Sequence, residues 1–166
     1  MESVSIRELF RNTALYAGKT VSVGGWVRSV RASKAFGFIV LHDGTFFTPL
    51  QVVYHDNLDN FQEISKTNVG AALVVTGTLV ETPDAKQPFE LQAESVVVEG
   101  SSAPDYPLQK KRHSLEFLRT MTHLRPRTNT FQAVFRVRSL IAYAIHRFFQ
   151  EREFVYVHTP LITGSD

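Results

Sequence analysis

Cysteine is absent from the 166 residues, which excludes disulfide frameworks, thiolate metal sites and cysteine nucleophiles together. Long apolar runs are absent as well. No stretch approaches the roughly 18 consecutive apolar residues that a membrane span requires. The opening Met1-Glu2-Ser3-Val4-Ser5-Ile6-Arg7-Glu8 carries acids where a secretory signal would carry an apolar segment. These absences predict a protein of a reducing, intracellular compartment, the cytoplasm, with no membrane partner. Catalytic signatures are missing too. There is no Gly-x-Gly-x-x-Gly, no glycine-rich loop ending in Gly-Lys-Ser/Thr and no Gly-x-Ser-x-Gly elbow. The six histidines, His42, His55, His113, His123, His146 and His158, show no metal-ligand spacing with a nearby carboxylate. The sequence therefore offers no metal site and no self-contained catalytic constellation.

What is present is enough apolar material for a core, at 43% hydrophobic and 20% charged residues. The net charge of +2 is unevenly distributed. Residues 1–99 hold 8 Lys and Arg against 11 Asp and Glu, whereas 100–166 hold 10 against 5. Two different modules follow. A net-acidic first module is no general electrostatic nucleic-acid binder, so any such contact must be focused on few residues.

Ser5-Ile6-Arg7-Glu8 has the form of a capping box and predicts a short helix through Ile6, Leu9 and Phe10. From Thr20 the period becomes strand-like, with Val21, Val23 and Val27 alternating with polar residues and Gly24-Gly25 read as a bulge or a tight coil of the strand. A polar turn, Arg31-Ala32-Ser33-Lys34, leads into a second strand, Phe36 to Leu41, which ends at Asp43-Gly44. A third strand covers Leu50 to Tyr54. Leu58, Phe61, Ile64 and Val69 have helical spacing, with Asn57 or Asp59 as the expected cap. Two more strands, Ala72 to Val80 and Phe89 to Val98, complete the pattern. Five strands with a helix between the third and fourth is the element order of the OB-fold, a small barrel that binds oligonucleotides or oligosaccharides around strands two and three. The predicted fold class is mainly β, a five-stranded OB barrel with a short N-terminal helix.

Ser101-Ser102-Ala103-Pro104-Asp105-Tyr106-Pro107 has linker composition. Ser114 can cap a short helix, and a longer one starts near Asn129 with Val134, Val137, Ile141, Ala144, Ile145 and Phe148 on one apolar stripe. Phe154-Val155-Tyr156-Val157 reads as a strand stopping at Pro160. One helix and one strand with no sheet to receive them make an incomplete α+β segment. The expected domains are 1–100, the barrel; 101–128, a hinge; and 129–166, the start of a second domain.

If Val23, Ile39, Val52 and Leu91 point inward, strand parity places Phe38, Gln51, Glu90 and Gln92 outside. An aromatic among amide, carboxylate and guanidinium groups can stack on a splayed base and bond its edge. Arg28, Arg31 and Lys34 supply positive charge for a phosphate backbone. The competing reading makes Phe36 and Phe38 core residues, with the polar side chains merely facing water.

Gly25-Trp26-Val27-Arg28 with Arg31, Phe36-Gly37-Phe38-Ile39, Leu50-Gln51-Val52-Val53 and Phe89-Glu90-Leu91-Gln92-Ala93 resemble, in order and spacing, the anticodon-binding OB domain of class II aminoacyl-tRNA synthetases of the aspartyl, asparaginyl and lysyl subgroup. Tyr106-Pro107, Lys111 to Arg119 and His123 to Asn129 resemble the asparaginyl branch. Arg147-Phe148-Phe149-Gln150-Glu151 and Val157-His158-Thr159-Pro160-Leu161-Ile162-Thr163 are similar to motif 1, the helix, strand and proline of the class II dimer interface.

The resemblance implies an asparagine–tRNA ligase, an enzyme that activates asparagine with ATP and Mg2+ and transfers it to asparagine tRNA as a homodimer through motif 1, including Pro160. Phe38 would stack on an anticodon base. Gln51 would read the first base, a guanine in asparagine tRNA, and Glu90 would help read the central uracil. Arg31, with Arg28, would hold backbone or base edges. Motifs 2 and 3, which hold ATP and the activated amino acid, do not occur in these residues, so the chain alone is expected to be inactive, with no catalytic residue and no bound cofactor. The alternative is a free-standing OB module that holds tRNA or other single strands without catalysis. A third is a synthetase-derived interaction protein. The pair Phe46-Phe47 is greasier than a hairpin loop requires, and packing and RNA contact are both open for it.

Overall fold

The computed structural model describes residues 3–162 and 164. Met1 and Glu2 of the opening segment, and Thr163 at the end of the motif 1 stretch, lie outside the described residues, as do Ser165 and Asp166. The chain divides into two compact units, Met1–Arg125 and Pro126–Asp166.

In the first unit, helices α1 (Ile6–Arg11) and α2 (Thr13–Tyr16) precede strands β1 (Thr20–Ala32), β2 (Phe36–His42) and β3 (Leu50–His55). Helix α3 (Phe61–Ser65), strands β4 (Ala72–Glu81) and β5 (Phe89–Gly100) and the short helix α4 (Leu115–Arg119) follow. The strands close a barrel in the order β1-β2-β3-β5-β4, with β3 and β5 parallel and the other pairs antiparallel. This is the expected OB topology. Alternation along each strand sends Val23, Ile39, Val52, Leu73, Val75, Leu79 and Leu91 into the core, where none exceeds 1% exposure. Closure removes the free sheet edges that a five-stranded open sheet would leave.

Half of the predicted capping box forms. Ser5 Oγ accepts from the Glu8 N–H at 3.2 Å, while the Glu8 carboxylate accepts from Asn12 Nδ2 at 2.8 Å. The N-terminus of α1 is instead completed by the β2–β3 loop, since the Ile6 N–H donates to Asp43 Oδ2 at 2.8 Å and the Arg7 N–H to Thr45 Oγ1 at 3.0 Å. The same loop resolves the phenylalanine pair. Phe46 stacks on Phe10 at 4.8 Å, and Phe10 in turn meets Phe89 at 4.7 Å, whereas Phe47 is exposed.

Three expectations are corrected. The bulge of β1 falls between Val27 and Ser29, not at Gly24-Gly25, which pair regularly with Val74 and Leu73. Gly25 serves close approach, since a Cβ there would lie 2.9 Å from the His42 carbonyl oxygen, whereas a Cβ on Gly24 would meet only Val74 Cγ2 at 3.9 Å. Helix α3 is shorter than expected and starts after Asn60, neither Asn57 nor Asp59. Asn60 makes no side-chain cap, and its Nδ2 donates to the Val96 carbonyl at 2.8 Å.

The second unit holds helix α5 (Asn129–Gln150). Thr128 caps it, its Oγ1 accepting from the Phe131 N–H at 3.4 Å. No residue of α5 is buried, and the stripe from Val134 to Phe148 is exposed. The third correction lies beyond it. Residues 154–157 form no strand, because a β-segment needs neighbouring strands to take its backbone hydrogen bonds. Pro160 is exposed in irregular chain.

Candidate nucleic-acid interface

Strand register arranges the outer face of the barrel in two rows. Ser29 pairs with Val40 and Val40 with Gln51, forming the first row. Gln51 Nε2 then donates to Glu90 Oε2 at 3.2 Å and carries that row on to β5. Arg31 pairs with Phe38, Phe38 with Val53 and Val53 with Gln92, forming the second. Because residues two apart on a strand share a face, the rows are neighbours. Ser29, Arg31, Phe38, Val40 and Gln51 together line a depression of about 170 Å3.

The bulge is what gives β1 this alignment. Val27 packs in the core and Val30 against it, so the extra residue in between turns Ser29 and Arg31 outward. Arg28 is that extra residue, unpaired in the β1–β2 ladder. Its guanidinium is half-buried near Tyr106, and burial lowers its pKa while the electrostatic influence of Tyr106 acts in the opposite direction. The structure thus brings Arg31, Phe38, Gln51 and Glu90 onto one surface and sets Arg28 apart from them. Pro160 belongs to the other unit.

Phe38 is half-buried. Its ring meets the edge of Phe36 at 5.5 Å and 89°, and Phe36 lies 6.3 Å from His55. At 40% exposure Phe36 is no core residue, so the face carries a second aromatic that parity with Phe38 could have identified. Between the two rings, Gly37 has no room for a Cβ, which would enter the Tyr54 ring. Tyr54 is fully buried and its hydroxyl shares a 3.2 Å hydrogen bond with Ser65. Glycine therefore lets the β2 backbone rest on Tyr54 while both phenylalanines face outward. Gln92 completes the polar end of the face, its Nε2 donating to Glu90 Oε1 at 2.8 Å.

Such a surface offers π-faces for stacking, a cation for phosphate, and amide and carboxylate groups for base edges. Comparison with known proteins points the same way. Residues 21–99 match the family of the OB-fold nucleic acid binding domain, and residues 114–166 match the tRNA synthetases class II (D, K and N). An asparagine–tRNA ligase of Acetivibrio thermocellus is 66% identical over 167 aligned positions, covering all of this chain and 36% of that protein. The chain is similar, along its whole length, to part of the class II tRNA synthetases of the D, K and N group.

It corresponds to the N-terminal part of these relatives. The asparagine–tRNA ligase of Desulfitobacterium hafniense is 59% identical and again matches all of the chain over 36% of its own length. The chain thus spans about a third of the curated relatives it matches. The fold is shared with an asparaginyl-tRNA synthetase from Pyrococcus horikoshii complexed with asparaginyl-adenylate, at a TM-score of 0.83 and 22% identity. That superposition covers 96% of this chain and 37% of the other. Among the described residues no helix is long and apolar enough to cross a membrane.

Proposed function

We propose that the barrel reads the anticodon of asparagine tRNA within an asparagine–tRNA ligase, which activates asparagine with ATP and transfers it to that tRNA. The observation that carries this reading is the convergence of Arg31, Phe38, Gln51 and Glu90 on one two-row face. Phe38 stacks on an anticodon base with Phe36 beside it. Gln51 reads the guanine at the first anticodon position, Glu90 contributes to reading the central uracil, and Arg31 holds the phosphate or a base edge. Arg28, turned toward Tyr106, braces the chain after the barrel and adds positive charge at the rim. The match of residues 114–166 to the synthetase family favours this over a free-standing OB module.

The domain division proposed is a barrel over 1–100, a hinge over 101–128 and the beginning of the catalytic domain over 129–166. The exposed stripe of α5, with the stretch to Pro160, is the surface through which two subunits pair, in a cytoplasmic homodimer. ATP and Mg2+ belong to the ligase reaction, but the residues present do not fit them. Among the described residues no three His, Asp or Glu side chains are grouped to hold a metal ion, and the sequence has no phosphate-cradling glycine loop.

Equilibrium binding of the chain to RNA hairpins that carry the asparagine anticodon tests the reading. Gln51→Ala is expected to weaken binding chiefly for hairpins with guanine at the first position, since only that base is left with unmet hydrogen bonds. Equal weakening for all four bases would refute the assignment.

A further inference from the structure

Phe36 is a large aromatic that the core does not use. It is exposed, and neither it nor Phe38 is among the side chains that pack on the barrel's core. Its place is fixed from two sides. Phe36 pairs with His55 on β3, whose exposed ring lies 6.3 Å away, and the Phe36 carbonyl accepts from the Ser33 N–H at 2.8 Å, which closes the β1–β2 turn. Lys34 stands exposed in that turn. The surroundings of Phe38 are thereby repeated one step along β2: Phe38 has a cation, Arg31, as its ladder partner, and Phe36 has a cation, Lys34, in the turn that ends on it.

We propose that Phe36 is a second stacking position of the RNA face, taking the base of the nucleotide next to the one on Phe38, on the side of the β1–β2 turn, with Lys34 beside its phosphate. This rests on the reading of the face as an anticodon site. It requires no particular base, because every base has a π-face to offer. The ring geometry sets how the two bases lie. In an edge-to-face pair each ring keeps at least one face clear of the other. Stacked neighbours in a nucleic acid are separated by about 3.4 Å, whereas the Phe36 and Phe38 rings are 5.5 Å apart and inclined at 89°. Two bases that each cover one of these rings therefore cannot stack on each other, and the strand must turn between them. The face thus favours a loop whose neighbouring bases are splayed, the form in which single-stranded RNA is read.

The test measures binding of the chain to a labelled anticodon hairpin and to a set in which each loop base in turn is replaced by an abasic nucleotide. Phe36→Leu keeps apolar bulk and removes the π-face, so affinity for the intact hairpin is expected to fall about tenfold. In that variant one abasic replacement should cost nothing further, while the replacement at the neighbouring position, the one matched to Phe38→Ala, should cost as much as in the parent chain. Phe36→Trp restores a π-face and should keep the parent's affinity and its abasic profile. Thermal unfolding of both variants should match that of the parent chain, since Phe36 is exposed. Unchanged affinity in Phe36→Leu, with Phe38→Ala still weakening binding, overturns the second position and leaves the anticodon reading intact. A Phe36→Leu loss that vanishes at the same abasic position as the Phe38→Ala loss overturns it as well, because Phe36 then acts only by bracing Phe38. If Phe38→Ala leaves affinity unchanged, the reading of the face fails and the second position falls with it.

Discussion

Removing the Phe38 ring separates the two roles an aromatic can have on a barrel. Phe38→Ala deletes a stacking surface worth about 1–3 kcal/mol per base, so affinity for the anticodon hairpin should fall from about fivefold to more than a hundredfold. The cost to folding is smaller. Phe38 is half-buried and its edge contact with Phe36 at 5.5 Å is worth about 0.5–1.5 kcal/mol beyond area. Partial burial then brings the total to about 1–2 kcal/mol, against about 3–5 for a phenylalanine lost from a core. Ile39 next to it is the control, fully buried at 0% exposure. Ile39→Ala should destabilise by about 2–5 kcal/mol and leave RNA affinity per folded molecule unchanged. The assay pairs thermal unfolding with fluorescence anisotropy of a labelled hairpin on the same preparations. If Phe38→Ala melts as early as Ile39→Ala and binds RNA like the parent chain, Phe38 is a core residue in function, and the outer-face reading is refuted.

Arg31→Ala should weaken all hairpins by a similar factor and reduce the slope of log affinity against log salt by about 0.7, the contribution of one phosphate on a single strand; a base-dependent loss would move Arg31 from backbone to base contact. Asp43→Ala removes the acceptor for the Ile6 N–H and should lower stability by about 1–2 kcal/mol without altering discrimination between hairpins, as measured by urea unfolding and binding together. Ile141→Glu, in the middle of the exposed α5 stripe, should weaken self-association measured by sedimentation while leaving hairpin affinity per chain unchanged; undiminished association would move the subunit interface elsewhere.

The barrel was legible because its five strands announce themselves by period two, and burial of Val23, Ile39, Val52 and Leu91 follows from that period alone. Features that depend on two partners at once were not legible. The bulge at Arg28 arises where β1 exchanges neighbours, Trp26 pairing with Ala72 on one side and His42 on the other. No local residue signals such an exchange, and the adjacent glycines drew the expectation to the wrong place. Asp43 reads as a turn residue, yet its carboxylate caps a helix 37 residues earlier in the chain. Residues 154–157 have the composition of a strand and no partner to make them one. Of the site, the outward parity of Phe38, Gln51 and Glu90 was readable. The link from Gln92 through Glu90 to Gln51 was not, since a hydrogen bond between β3 and β5 requires their parallel pairing.

The ordering of charge across the face gives the proposed reading a direction. Arg31 stands at the β1 end of one row and Glu90 at the β5 end of the other, with Phe38 between them on β2. A phosphate backbone is drawn to the first and repelled by the second, while base edges can meet the amide and carboxylate groups. On the proposed reading, a bound strand would run with its phosphates over the β1 side and its bases turned toward β5. A barrel carrying 8 Lys and Arg against 11 Asp and Glu over residues 1–99 gains little from general attraction to RNA. What it can supply is selection, because hydrogen-bonding groups held by their neighbours are left unmet by the wrong base. On the proposed reading, the barrel would contribute selection rather than affinity, and the excess of 10 Lys and Arg over 5 Asp and Glu in residues 100–166 is where positive charge for an RNA backbone is concentrated in the sequence.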